Sequence, residues 1–124
     1  GGKGSDFTLT DDENFLRQHY ARITGANHTL IFVDNGDATL RAYSRILEFN
    51  LDENAKQVSS FKAYTIPDKF IQYGGSVQKM NGYYFIGGSS GKYALQVNYT
   101  TNEVLLRLNS NYASYRCLKY NVNN

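Results

Sequence analysis

Residues Arg45 to Lys62 read RILEFNLDENAKQVSSFK, and residues Tyr93 to Leu108 read YALQVNYTTNEVLLRL. Aligned with a gap of two after the turn, they set Ile46 and Leu47 on Ala94 and Leu95, Phe49 on Val97, Asn50 on Asn98, Asn54 on Asn102 and Val58 on Val104. Just upstream, ARITGANHTLIFVD and VQKMNGYYFIGG follow the same order of strand, turn and strand. A chain that repeats itself about every 50 residues is built from copies of one supersecondary unit, each burying its apolar face on a neighbour.

The residues of each copy are strand formers. The chain carries 11 Tyr and 7 Phe with many Val, Ile and Thr, and Gly and Asn recur between the apolar runs, the composition of short strands joined by turns. The expected strands are HYARIT, HTLIFVD, YSRILEFNL and KQVSSFKAY in the first unit, then GSVQKM, GYYFIGG, KYALQVNY and EVLLRLN in the second. YRCLKY opens a third. Turn signals separate them: GAN, DNGD, LDENA, IPDK, Asn81-Gly82, SSG and TTN. Residues 11 to 18, DDENFLRQ, can make a helical turn, with acidic residues favourably placed at its start.

Four strands in about 50 residues is the size of a propeller blade. The expected fold is therefore all-β: a partial β-propeller of about two and a half four-stranded antiparallel blades. Residues 1–18 lead in, 19–64 form the first blade, 73–109 the second, and 114–120 a closing strand. Propellers close with roughly 4 to 8 blades, so this chain supplies part of a ring. The remaining blades are expected from the rest of a longer protein, in preference to a homo-oligomer.

Bulk properties exclude several classes of function. At 124 residues with 41% hydrophobic content, the chain has enough apolar surface for one core. Its net charge of +2 comes from scattered Lys and Arg, so no basic stripe suited to nucleic acid is present. No apolar run approaches the roughly 18 to 20 residues of a membrane span. Cys117 is alone and His19 and His28 are the two histidines, which leaves no disulfide or thiolate cluster within the chain and too few ligands for a metal centre. GxGxxG, P-loop and CxxC patterns are missing as well, so no cofactor is expected. Asp34-Asn35-Gly36-Asp37 lacks the alternating ligands of a calcium loop and reads as a tight turn. Asn27-His28-Thr29 and Asn98-Tyr99-Thr100 fit the glycosylation triplet, a pattern that arises often by chance.

The chemistry centres on His19, in QHYARI. A histidine alone on a strand is ordinarily an edge or core residue held by hydrogen bonds. Taken together, GGKGSDF, QHYARI followed by LIFVDNG, SRILEFNLDE, GGSVQ, and YTTNEVLLRL with SYRCLKY resemble, in order and spacing, the C-terminal part of bacterial arylsulfotransferases. These aryl-sulfate sulfotransferases need no nucleotide sulfate donor. The resemblance implies a six-bladed propeller with its site in the central channel, and it places the nucleophile of the QH motif on His19. It also implies an aryl sulfate donor, a phenolic acceptor and a periplasmic or secreted bacterial enzyme. Further site histidines and an arginine would come from earlier blades, so the isolated chain is expected to be inactive. Two departures are visible: Tyr20 follows His19 where QHD or QHT is usual, and Val33 interrupts the FDNG pattern.

Such chemistry is reasonable for an imidazole. Sulfuryl transfer, like phosphoryl transfer, passes through a loose transition state with charge on three outer oxygens, and needs a placed nucleophile with cationic donors. Gln18, at the strand's start, and the cations Arg45 and Arg116 are candidates for binding the substrate. By strand alternation Ala21 shares the face of His19 and Arg22 takes the other. Tyr73, Tyr83 and Tyr84 are candidates for an aromatic channel mouth. The alternative is a non-catalytic propeller segment that binds a ligand or a partner.

Overall fold

A computed structural model describes residues 4–25, 28–67 and 70–121. Ala26 and Asn27 of the GAN turn, and Asp68 and Lys69 of IPDK, lie outside the described residues. The strands run β1 His19–Thr24, β2 Thr29–Asp34, β3 Arg45–Asp52, β4 Gln57–Thr65, β5 Ser76–Met80, β6 Tyr83–Gly87, β7 Tyr93–Asn98 and β8 Val104–Asn109. They form two four-stranded antiparallel sheets, β1-β2-β3-β4 and β5-β6-β7-β8, each in sequence order. The fold is all-β. A single short 3-10 turn at Ser89–Gly91 interrupts the strands among the described residues. The helical signal in DDENFLRQ yields one turn, in which Asn14 N–H reaches Thr10 O at 3.1 Å and Glu13 Oε2 accepts from Thr10 N–H at 2.8 Å. No helix of the described residues is long and apolar enough to cross a membrane.

The register explains the repeat. Phe32 pairs with Leu47 and Leu30 with Phe49 across β2 and β3, just as Ile86 pairs with Leu95 and Tyr84 with Val97 across β6 and β7. Leu47 and Leu95, and Phe49 and Val97, thus occupy matching sites. The gap of two, however, falls before the turn and not after it. Asp52 Oδ1 caps its turn by accepting from Asn54 and Ala55 N–H at 3.0 and 2.9 Å, and Asn98 Oδ1 caps the other from Thr100 and Thr101 at 2.8 and 3.0 Å. Asp52 is the counterpart of Asn98, so β3 holds the two extra residues. Asn50 bonds Ser60 Oγ instead, at 2.6 Å.

Period-2 alternation gives each sheet two apolar faces. Ile31, Val33 and Ile46 on one sheet meet Val77, Tyr84, Ile86, Leu95 and Val97 on the other, forming the main core between the sheets. Phe32, Leu47 and Phe49 point the other way and are covered by Leu9 and Phe15 of the lead-in. The lead-in also runs beside β4, where Thr8 N–H donates to Lys56 O at 3.1 Å. Strand β8, at the outer edge, is exposed along its length.

YRCLKY does not become a strand. It lies across the face of β5, and two β5 side chains satisfy its backbone. Ser76 Oγ donates to Cys117 O at 2.8 Å and accepts from Cys117 N–H at 3.1 Å. The Gln78 amide binds both backbone groups of Lys119, at 3.1 and 2.6 Å. Among the described residues no strand lies beside it to pair, so the segment has strand-like composition without a ladder.

Gly87 makes this approach feasible, because a Cβ there would stand 2.5 Å from Ser76 Oγ and 2.8 Å from Cys117 N. Gly87→Ala is expected to dislodge residues 115–119 at a cost of about 1–3 kcal/mol, typical of overpacking. Hydrogen exchange should then quicken at the Cys117 and Lys119 amides and stay slow in β7. Unchanged exchange at both amides would contradict this close packing.

Candidate functional site

The site is built where β1 begins and β2 ends. His19 pairs with Val33, but Arg22 pairs with Ile31, so Tyr20 and Ala21 together stand opposite one residue of β2. Tyr20 sits at φ 58 inside this irregularity, as the extra residue of a bulge allows. One added residue inverts every side chain that follows. Arg22 therefore takes the face of His19, contrary to simple alternation.

Past β2 the chain continues as Asn35-Gly36, with Gly36 at φ 86. A Cβ at Gly36 would lie 2.5 Å from the carbonyl oxygens of Arg41 and Tyr43, which is why the DNG turn needs glycine here. The turn closes through Asp37 N–H to Arg41 O at 3.0 Å.

Asn35 is fully buried. Its Nδ2 donates to Ile71 O at 2.8 Å and to Gly74 O at 3.0 Å, both on the link between the sheets. Its own carbonyl accepts from Ser44 Oγ at 2.8 Å, and Ser44 Oγ accepts from Ile71 N–H at 3.0 Å. The remaining polar atom, Oδ1, lies 2.8 Å from His19 Nδ1. Arg17 O lies 3.0 Å from the same nitrogen.

The other side of His19 is aromatic and cationic. The Tyr115 ring meets the imidazole edge-on, with centroids 6.2 Å apart. The Arg116 guanidinium lies 5.1 Å from the Tyr20 ring centre and 5.2 Å from that of Tyr115. Arg22 covers Tyr20 at 4.3 Å. His19 and Arg116, from opposite ends of the sequence, are thus joined through Tyr20 and Tyr115. Gln18 is exposed just before β1.

Arg45 is used differently. It is buried, with Nε and Nη2 on Asp34 Oδ2 at 2.9 and 2.7 Å, and further N–H groups on Asp12 O at 3.1 Å and Asn14 O at 2.9 Å. Offered by the sequence as a cation for the substrate, it forms a buried clamp on the lead-in, and its donors are met by protein acceptors. The tyrosines also separate. Tyr84 is buried between Tyr64 and Tyr99 with its hydroxyl donated to Glu48, and burial together with that carboxylate pushes its ionisation well up from the usual phenol range. Tyr83 lies under Lys119, 5.2 Å away, while Tyr73 is exposed. His28, also exposed, meets Glu53 at 3.1 Å.

Sequence reasoning missed Asn35 and Tyr115. Asn35 looks like any turn asparagine beside a glycine, and Tyr115 reaches His19 only because YRCLKY crosses β5. Among the described residues, no cluster of three or more His, Cys, Asp or Glu is placed to hold a metal ion. Compared with protein-family models, curated proteins and solved structures, the chain matches none.

Proposed function

We propose that this chain is part of an aryl-sulfate sulfotransferase in which His19 carries the sulfuryl group from an aryl sulfate to a phenol. The observation that supports this reading best is the convergence of His19, Arg116, Tyr20 and Tyr115 from both ends of the chain. Arg116 and Arg22 offer positive charge for the outer sulfuryl oxygens, and the tyrosine rings offer flat surfaces for a phenol. Gln18, exposed beside them, is the residue to orient the incoming donor. Location in the periplasm or outside the cell belongs to the same reading.

In this proposal the two sheets are successive blades of a six-bladed propeller. The way the units stack supports it. Val77 of β5 joins Val33 of β2 in the core between the sheets, and residues 117–119 lie against the opposite face of β5 in turn. A third unit would continue the series from that segment.

The test uses protein with all its blades, 4-nitrophenyl sulfate as donor and phenol as acceptor. His19→Asn is expected to lower nitrophenolate release by roughly 10⁴-fold or more, the scale seen when a covalent nucleophile is lost. Mass spectrometry of a quenched reaction should find the sulfuryl group on the peptide that contains His19. Release that survives the substitution would overturn the proposal and favour a ligand-binding segment.

A further inference from the structure

We infer that Asn35 is a positioning residue that holds His19 as its Nδ1–H tautomer and so makes Nε2 the reactive atom. The inference deepens the sulfotransferase reading and rests on it for its functional consequence. Its structural half stands on hydrogen-bond geometry alone.

Asn35 could in principle present either its oxygen or its NH₂ to the imidazole. The contacts on its other side decide which. Nδ2 stands 2.8 and 3.0 Å from two carbonyl oxygens, Ile71 O and Gly74 O, which can only accept. The NH₂ group must point at them, and Oδ1 must therefore point at His19. Nδ1 then faces two acceptors, Asn35 Oδ1 at 2.8 Å and Arg17 O at 3.0 Å. A bare Nδ1 would oppose lone pairs from both, so it carries the proton. A neutral imidazole with one proton on Nδ1 keeps its free lone pair on Nε2. The amide cannot turn over without breaking both Nδ2 bonds within a fully buried site.

The consequence for transfer follows atom by atom. The Nε2 lone pair forms a bond to sulfur, the bond from sulfur to the aryl oxygen breaks, and the electron pair leaves with the phenolate. No proton needs to leave Nδ1. The ring becomes a sulfo-imidazolium whose positive charge strengthens the Nδ1–H donation to Asn35 Oδ1, so the contact tightens as charge develops. The phenolic oxygen of the acceptor then attacks sulfur, its proton passing to solvent, and the pair returns to Nε2.

The structural half is tested without turnover. Long-range ¹H–¹⁵N spectra of histidine-labelled protein above the imidazole's titration are expected to show a protonated Nδ1 and an unprotonated Nε2 for His19. His28 serves as an exposed comparison in the same spectrum. Asn35→Leu, close in shape but with no acceptor, leaves Arg17 O as the remaining partner of Nδ1 and should shift the tautomer population toward Nε2–H. Asn35→Asp keeps an acceptor toward His19, at the cost of setting its second oxygen against Ile71 O and Gly74 O, and in the folded protein should leave the proton on Nδ1. An Nε2–H tautomer in the unmodified protein overturns the inference, and so does an Nδ1–H population that is unchanged in Asn35→Leu. If Asn35→Leu does not fold, the unmodified spectrum decides.

In the transfer assay Asn35→Leu should lower kcat by roughly 10²–10⁴-fold with KM little changed, the scale at which a wrong imidazole tautomer impairs a triad. Asn35→Asp should restore a substantial part of that loss. An expected spectrum without sulfuryl transfer in unmodified protein would defeat the functional reading and leave the tautomer assignment standing. Full turnover in an Asn35→Leu protein that carries Nε2–H would defeat the positioning role alone.

Discussion

Asp34→Ala is expected to destabilise the protein by about 3–5 kcal/mol, the usual cost of leaving a buried charge without its partner. The Asp34 side chain is 0% exposed and binds Arg41 and Arg45, whose side chains are 13% and 9% exposed. It also accepts from Leu16 N–H at 2.9 Å. Removing the carboxylate strands two guanidinium groups in a place that water reaches poorly. Asp34→Asn keeps an acceptor and should cost less. Urea denaturation would report the loss as a lower midpoint with unchanged slope. A cost under about 1 kcal/mol would mean that the arginines find water after all, as exposed pairs do. The lead-in should loosen with the substitution, because Asp34 and Arg45 anchor Asp12, Asn14 and Leu16 just before His19.

Tyr84→Ala should be as costly, about 3–5 kcal/mol for a large buried ring. Tyr84 is 1% exposed, its ring lies 5.9 Å from that of Tyr64 and 5.1 Å from that of Tyr99, and its hydroxyl meets Glu48. Glu48 belongs to the first sheet and also holds Lys79 of the second at 2.7 Å. Tyr84→Phe isolates the hydroxyl, and about 1–3 kcal/mol is expected for the acceptor left short. Because Tyr84 joins the sheets, the losses should appear as one lowered transition seen equally by fluorescence and circular dichroism. Two separated transitions would show that the sheets fold independently.

The strands were legible because their cause is local. The unbroken apolar and aromatic runs in TLIFVD and YYFIG, with glycine and asparagine between runs, are enough to set a strand buried on both faces and its ends. Features that depend on a partner were not. The bulge at Tyr20 reflects how β1 meets β2, and nothing in HYARIT announces it. YRCLKY has the residues of a strand but, among the described residues, no neighbour to pair with. Arg45 looked like a cation open to the substrate because Asp34 lies eleven positions away, across a register that only the folded sheet defines. At the site, His19 and Arg116 stood out as residue types. Asn35 did not, since its importance comes from two carbonyls on the link to the next sheet.

The side-chain contacts beneath residues 117–119 bear on how such a chain can change in length. Ser76 and Gln78 receive the next segment on the face of β5, and among the described residues no ladder runs from one sheet into the other. Copies are therefore added by stacking, without any existing strand having to shift its pairing. Gain or loss of a whole unit disturbs a limited set of side-chain contacts, such as those of Asn35, Glu48, Ser76 and Gln78, and an apolar face, a modest alteration for an evolving gene. A strand inserted within a sheet would break every hydrogen bond on one side of it.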